Sequence, residues 1–331
     1  MAEPVPWPVA WQEALYGPRG AYRTPTGPAA HFTTATHGPT GPLLARALAR
    51  LADREGRSHV VDVGAGRGEL LAAVHAVRPG LALTGVDVVA RPAGLPAAAH
   101  WLTSPGGADL PPGLDGLQDA LVVAHEWLDV VPCTVAEVDA HGRLRGVLVD
   151  PATGRESLGD PLGPDELAWC AEHWPATAPG ARVEVGLARD RAWAGLLGRV
   201  TRGTVLAVDY GHTRATRPAE GSLAGYRRGE QVPPVPDGTC DVTAHVAVDS
   251  LEQDERHGQR TVLLDLLGDV RAPSVERAHT DPAGYLAGLA RSSALHALVA
   301  PGGFGDFSWV IARRPARRGG GPPAPGGGAA D

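Results

Sequence analysis

Val60-Val61-Asp62-Val63-Gly64-Ala65-Gly66-Arg67-Gly68 decides the fold. A short run rich in β-branched residues breaks into closely spaced glycines, and Glu69-Leu70-Leu71-Ala72-Ala73-Val74 follows with helical apolar spacing. The stretch reads as a buried strand, a glycine turn and a helix over about 68–77. Leu83-Thr84-Gly85-Val86-Asp87 reads as a second strand that ends in a carboxylate. Leu121-Val122-Val123-Ala124-His125-Glu126 belongs to a strand over 119–125 that delivers polar groups at its end. Such rapid alternation predicts an α/β fold with a mostly parallel sheet and right-handed crossovers. Sheets of this kind bind ligands in the crevice beyond the carboxyl ends of their strands.

Gly64, Gly66 and Gly68 let the chain turn sharply and bring bare backbone against a ligand. The dinucleotide fingerprint is G-x-G-x-x-G, whereas here the third glycine comes one place early and Glu69 follows it. A carboxylate at that helix start suits the helix dipole but sits poorly beside a pyrophosphate. S-adenosyl-L-methionine lacks phosphate and carries a positive sulfonium, so an acidic surround favours it over NAD. Asp62 is then placed to receive the amino-acid part of the cofactor, directly or through water. Asp87 is placed to accept hydrogen bonds from both ribose hydroxyls, and Asp109 is a candidate for the adenine amino group. The competing reading is an ordinary strand-to-helix turn, with Asp62 and Asp87 as surface charges.

The 331 residues are 43% hydrophobic, enough for a full core, and a net charge of −7 gives no basic field for nucleic acid. The chain has no Lys, no Asn and a single Ile, at position 311, which resembles high-GC bacterial codon usage and discounts any lone Arg, Gly or Pro. Cys133, Cys170 and Cys240 lie far apart, without metal or redox spacing, and read as buried reduced thiols of a cytoplasmic protein. No metal site is expected. No apolar run is long enough for a membrane span, and the first residues lack the pattern of a signal peptide.

Residues 1–40 read as an irregular arm with a short helix around Trp11–Tyr16, and 41–312 as the main domain, beginning with a helix over Gly41–Arg54. A third strand falls near 99–102. An insertion over about 133–200 opens with a hairpin, Thr134–Val149, around His141-Gly142. Helices follow over Asp165–His173 and Asp190–Val200, with a strand at Arg182-Val183-Glu184-Val185 between them. Gly203–Tyr210 reads as a buried strand, Ala283–Val299 as a helix, and Phe307–Ala312 as the closing strand. From Arg313 to 331 the composition is that of a disordered tail.

Val122-Val123-Ala124-His125-Glu126-Trp127-Leu128-Asp129-Val130-Val131-Pro132 resembles the (N/H)E-x-x-D-x-x-P block of MidA-like S-adenosylmethionine-dependent methyltransferases. Val208-Asp209-Tyr210-Gly211-His212 resembles that family's DYGH segment. Gly225-Tyr226-Arg227 and Pro236-Asp237-Gly238-Thr239-Cys240-Asp241-Val242-Thr243-Ala244-His245-Val246 resemble its G-(Y/F)…PG-x-x-D-(L/I)-T-A-x-V stretch. Gly20-Ala21-Tyr22 and His31-Phe32-Thr33-Thr34 resemble altered forms of its GYY and DF-x-TS segments. The resemblance spans roughly 17–312. It implies a class I methyltransferase fold: a seven-stranded, mostly parallel, Rossmann-like sheet with an antiparallel strand near one edge. Characterised mitochondrial relatives, which assist respiratory complex I assembly, methylate a protein arginine, so the resemblance implies a protein acceptor and, by analogy, a respiratory complex subunit.

Methyl transfer from a sulfonium is an in-line displacement, so positioning and availability of the nucleophile decide the rate. A guanidinium acceptor needs carboxylates that orient it. Glu126, just past a strand end, is the first candidate, and Asp129 shares its face if the segment is helical. His125 is a candidate base near neutral pH. Glu184, Tyr210 and His212 are candidates for the same mouth, whereas Asp241 or Thr243 reads as a helix N-cap. The rival function is an S-adenosylmethionine-binding assembly factor or scaffold with little or no catalysis, motivated by the altered N-terminal segment. A homodimer joined at the hairpin is compatible with either reading.

Overall fold

The computed structural model describes residues 3–24, 27, 34–268 and 271–315. At its centre is a seven-stranded sheet, whose strands are β1 (His59–Val63), β2 (Ala82–Asp87), β3 (His100–Thr103), β4 (Leu117–His125), β5 (Val200–Asp209), β6 (Glu255–Gly258) and β7 (Ser308–Arg314). Their order across the sheet is β6-β7-β5-β4-β1-β2-β3. Neighbouring pairs from β3 to β5 are parallel, and β7 runs antiparallel to both β5 and β6. This is the class I methyltransferase arrangement that the sequence resemblance implies. The chain steps outward from β1 to β3, then returns to place β4 on the other side of β1. The ends of β1 and β4 therefore flank the point where strand order reverses, the place where such sheets open a ligand crevice.

Alternation along the strands sorts the core. Leu121, Val123, Leu206 and Val208 point to one face and pack with Leu44, Leu48, Leu70, Leu71, Leu263, Leu295 and Leu298. Those partners lie on α2 (Gly41–Arg54), α3 (Glu69–Val77), α5 (Gln259–Leu267) and α6 (Pro282–Val299). Val122, Ala124, Val205 and Ala207 point to the other face, against Trp193, Leu196 and Leu197 of α4 (Leu187–Gly198).

The insertion between β4 and β5 forms a second, antiparallel sheet. Thr134–Val138 pairs with Leu144–Val149 and with Arg182–Val185, while Glu156–Pro161 and Val5–Pro6 join the Leu144–Val149 strand. The hairpin and the Arg182–Val185 strand fall where the sequence predicts them. The N-terminal arm is more ordered than expected. Helix α1 spans Trp7–Tyr16, a full turn longer than the predicted piece, because Trp7, Trp11 and Leu15 bury one stripe against Val135, Val147 and Val149.

Two further expectations are corrected. Asp241-Val242-Thr243 is a strand rather than a helix start, paired with Ala224–Arg227, which also pairs with Glu230–Val232. The closing strand runs on to Arg314, because Arg313 pairs with Glu55 and Glu255 and Arg314 with Glu252. The remainder of the predicted tail, and His31, Phe32 and Thr33, lie outside the described residues. Among the described residues no helix is long and apolar enough to cross a membrane.

Candidate active site

A cleft of about 1070 Å³, space open to solvent included, lies across the carboxyl ends of β4, β1, β2 and β3. Its floor is the glycine turn. Gly64 and Gly66 have φ of 76° and 57°, a backbone region that other residues enter only at a cost. The Gly64 and Ala65 amides donate to the Val86 carbonyl, which ties the turn to β2. Both glycines line the cleft with bare main chain, so the cradle has the form a close-fitting cofactor needs. Gly68 differs. It does not line the cleft, and a Cβ there would meet Leu95 Cδ2 at 2.4 Å, so this glycine serves helix packing.

Asp62 and Asp87 both line the cleft. Asp87 Oδ2 accepts the Gly66 amide at 2.8 Å and Oδ1 the Val89 amide at 3.3 Å, which joins the end of β2 to the glycine turn. Burial raises its carboxyl to about 6 against those amide bonds. Burial, followed by the Asp87 and Glu69 charges, pushes Asp62 up to about 8. The cofactor side thus combines two buried carboxyls with Arg67, which also lines the cleft. Asp109 is exposed and absent from the lining, which corrects its assignment to the adenine end. There the wall is Val88, Val89, Ser104, Gly106, Gly107 and Leu110. Ser104 Oγ donates to the Asp109 carbonyl at 2.6 Å and accepts the Gly106 amide, so the turn closes on its own backbone.

Glu126 lines the other end of the cleft, beside Trp127, Val130, Tyr16 and Tyr22. The chain leaving β4 is an irregular turn, not a helix, and Glu126 takes a φ of 51°. Glu126 and Asp129 therefore do not share a helical face. Glu126 Oε1 is buried without a hydrogen-bond partner among the described residues. Asp129 lies behind the wall: its Oδ2 accepts from Tyr210 at 2.8 Å and Thr243 at 2.7 Å, and its Oδ1 is buried and unpartnered. Asp209 Oδ2 accepts the amides of Leu128 and Asp129, leaving Oδ1 unpartnered. Tyr22 donates to Asp241 Oδ1 at 2.7 Å.

Burial raises all four of these carboxyls, and repulsion from neighbouring acids adds to it at Glu126, Asp209 and Asp241, whereas hydrogen bonds from Thr243 and Tyr210 oppose it at Asp129. Glu126 and Asp209 are held well above the usual carboxylate range, and Asp241 is pushed up to about 7. The buried cation nearby, Arg189, gives its guanidinium to the carbonyls of Val131, Ala244, His245 and Asp129. None of the four carboxylates forms an ion pair with an arginine among the described residues. The Arg189 charge offsets part of the cost at Asp129 and Asp209, and an incoming cation would still meet a cluster of acids without a direct arginine partner among the described residues.

His125 is also displaced from its expected role. Its Nδ1 is 3.4 Å from Glu126 Oε1, but burial lowers its conjugate acid to about 4, so the ring is neutral around pH 7 rather than poised there. Glu184 is a buried clamp for the Ser222 and Leu223 amides, remote from the cleft lining. Tyr210 acts through Asp129, and His212 packs on Trp174 with its Nδ1 2.7 Å from Arg217 Nη1. Neither lines the cleft. Sequence reasoning missed Tyr16, Thr36, His37, Ser104 and Trp127 in the lining. Only the Trp127 position, next to Glu126 in a matched block, carried a signal. Among the described residues no group of three or more His, Cys, Asp or Glu is arranged to hold a metal ion.

Residues 94–264 match a protein family described as "Putative S-adenosyl-L-methionine-dependent methyltransferase". The chain belongs to that family. A COG1565 superfamily member and "likely methyl transferase" from Burkholderia thailandensis, solved with S-adenosyl-homocysteine bound, is 25% identical. The similarity covers 94% of this chain and 88% of that one, with a TM-score of 0.71. A native structure of a COG1565 superfamily protein from the same organism is also 25% identical, covering 94% and 87% of the two chains with a TM-score of 0.69. No curated protein matches. Family membership gives the cleft its cofactor, S-adenosyl-L-methionine, and the glycine cradle with the Asp62 and Asp87 carboxyls suits a phosphate-free, cationic ligand.

Proposed function

We propose that the protein transfers the methyl group of S-adenosyl-L-methionine to a cationic side chain of a protein acceptor, with arginine as the acceptor residue. One observation carries the reading. Glu126 presents a buried, unpartnered carboxylate oxygen in the cleft wall, backed by Asp129, Asp209 and Asp241 with no paired cation among the described residues. Cofactor contacts fall to Gly64, Gly66, Asp62 and Asp87.

When bound, S-adenosyl-L-methionine supplies a methyl group on a sulfonium leaving group. Glu126 accepts hydrogen bonds from the guanidinium and concentrates its charge on the nitrogens it touches, leaving the reacting nitrogen richer in electron density. The raised proton affinity of Glu126 suits it to take the N–H proton on Oε1 as the new N–C bond forms. Asp129, held by Tyr210 and Thr243, keeps the negative field behind Glu126. Trp127, Tyr16 and Tyr22 exclude water and offer aromatic faces to a cation. Three buried, unpaired thiols support a reducing, cytoplasmic setting.

The test is label transfer from methyl-labelled S-adenosyl-L-methionine to arginine-rich peptides, with lysine and citrulline versions alongside. Label confined to the arginine peptides supports the reading. Label on the lysine peptides, or on small molecules alone, overturns the acceptor class.

A further inference from the structure

Asp209 ends β5, two strand positions away from the glycine turn, and does not line the cleft. Its surroundings are unlike those of a spare acid. Oδ2 accepts two consecutive amides, Leu128 at 3.1 Å and Asp129 at 3.2 Å. The residue before Asp209, Val208, accepts the Glu126 amide at 2.9 Å. The same short turn is gripped from outside the sheet as well. Tyr16 donates to the Val130 carbonyl, Ala244 to the Asp129 carbonyl, and Arg189 to the carbonyls of Asp129 and Val131. Glu126 itself holds a φ of 51°. A left-handed, non-glycine residue persists only where its neighbours over-determine it, and such strain gathers where a side chain must be aimed.

We infer that Asp209 is a positioning residue: by holding the Leu128 and Asp129 amides it fixes the turn that aims Glu126 into the cleft. The inference rests on the reading of Glu126 as the carboxylate that meets the cationic acceptor. It assigns Asp209 no contact with acceptor or cofactor. What the two amides require is an acceptor oxygen at the Oδ2 position, and a negative charge is dispensable for that contact. Asn supplies such an oxygen on the same stem, whereas Ala supplies none.

The experiment needs no identified acceptor. Three ligands are titrated calorimetrically into the full chain: S-adenosylhomocysteine, an analogue with nitrogen in place of sulfur that carries a guanidinoethyl arm, and its neutral ureidoethyl counterpart. In the parent protein the guanidinium arm should tighten binding at least tenfold over the urea arm. In Asp209→Ala that increment should fall to twofold or less, while affinity for S-adenosylhomocysteine stays within threefold of the parent. In Asp209→Asn the increment should return.

A guanidinium increment that survives in Asp209→Ala overturns the positioning role. So does an equal loss of S-adenosylhomocysteine affinity in that variant, which would mark general collapse. If Asp209→Ala does not fold, Asp209→Asn decides, because loss of the increment there means that the charge, and not the acceptor oxygen, is what matters. A parent protein that binds S-adenosylhomocysteine but gains nothing from the guanidinium overturns the acceptor reading instead. One that binds no ligand at all overturns the methyltransferase assignment of the cleft.

Discussion

The two ends of the cleft are built by different means. The end over β1 and β2 is local: Asp62 to Gly66 and Asp87 belong to two consecutive strand ends, joined by the Gly66 amide on Asp87 and by the Gly64 and Ala65 amides on the Val86 carbonyl. The end over β4 and β5 is assembled from afar, from Tyr16 and Tyr22, the turn at 126–131, Arg189, Asp209 and the strand at Asp241–Thr243. The first end offers bare backbone and two carboxyls, recognition that any acceptor chemistry can share. The second gathers acid whose direct partners among the described residues are fixed amides and hydroxyls rather than arginines. A cofactor common to many reactions needs the first kind of surface, and a selective acceptor needs the second.

The hardest test of that division is Glu126→Gln. Gln keeps the size and shape of the Glu126 side chain in its buried place but has no carboxylate oxygen to take a proton. Folding and S-adenosylhomocysteine affinity should survive. Turnover on an arginine peptide should fall by roughly 10²–10⁴-fold, the range for loss of a positioned proton acceptor. Initial rates with saturating cofactor give the measurement. Unchanged turnover would strip the acidic end of its chemical role, and unchanged biological function in a turnover-dead variant would favour a scaffold.

The cofactor end responds to a different pair of substitutions. Asp87→Ala removes a carboxylate that both lines the cleft and holds the Gly66 amide, so S-adenosylhomocysteine affinity should fall about 30-fold, or about 2 kcal/mol. Asp109→Ala should leave affinity within about twofold of the parent, since its side chain is outside the lining. Calorimetric titration of both variants checks this, and a large effect at Asp109 would return it to the adenine end.

How much of each end was legible follows from the same difference. The buried apolar runs and glycines of β1, β2 and β4 carry their meaning within a few residues, so the parallel strands and the cleft floor could be read directly. Even there the local reading went too far: it gave Gly68 to the ligand, whereas Leu95, from a loop that periodicity cannot place, claims it. At the acidic end the motif blocks named Glu126 and Asp129 but could not tell which one lines the cleft. That depends on the φ of Glu126 and on Asp209, about 80 residues further along the chain. Asp241-Val242-Thr243 looked like a helix cap because Asp and Thr favour caps. Pairing with Ala224–Arg227, a tertiary event, makes it a strand. His125 has an ordinary histidine's sequence context, and only its burial reveals that it stays neutral.

The smallest expected effect concerns pH, and its sign separates the buried acids from the buried histidines. Asp62 rises to about 8 and Asp241 to about 7 in the folded chain, so the native state holds protons there that the unfolded chain has already released. Such groups contribute stability that is complete below the unfolded carboxyl range and is lost as pH climbs through the folded values. His125, near 4, and His212, near 3, act oppositely: the unfolded chain binds more protons, so their contribution improves as pH rises toward 6.5 and then levels off. Below about pH 6.5 the two sets oppose each other. Between about pH 6.5 and 8.5 the acids act alone, and unfolding free energy should drop by about 2 kcal/mol. Thermal melts across that window should fall, and Asp62→Asn should flatten the fall, because an amide has no proton to lose. S-adenosyl-L-methionine should flatten it too, and more than S-adenosylhomocysteine at pH 8, since its sulfonium stabilises the ionised carboxyls that S-adenosylhomocysteine leaves uncompensated. Equal effects of the two ligands across the window would mean that the acid at the cofactor end does not sense the sulfonium, and the electrostatic distinction between the two ends would be lost.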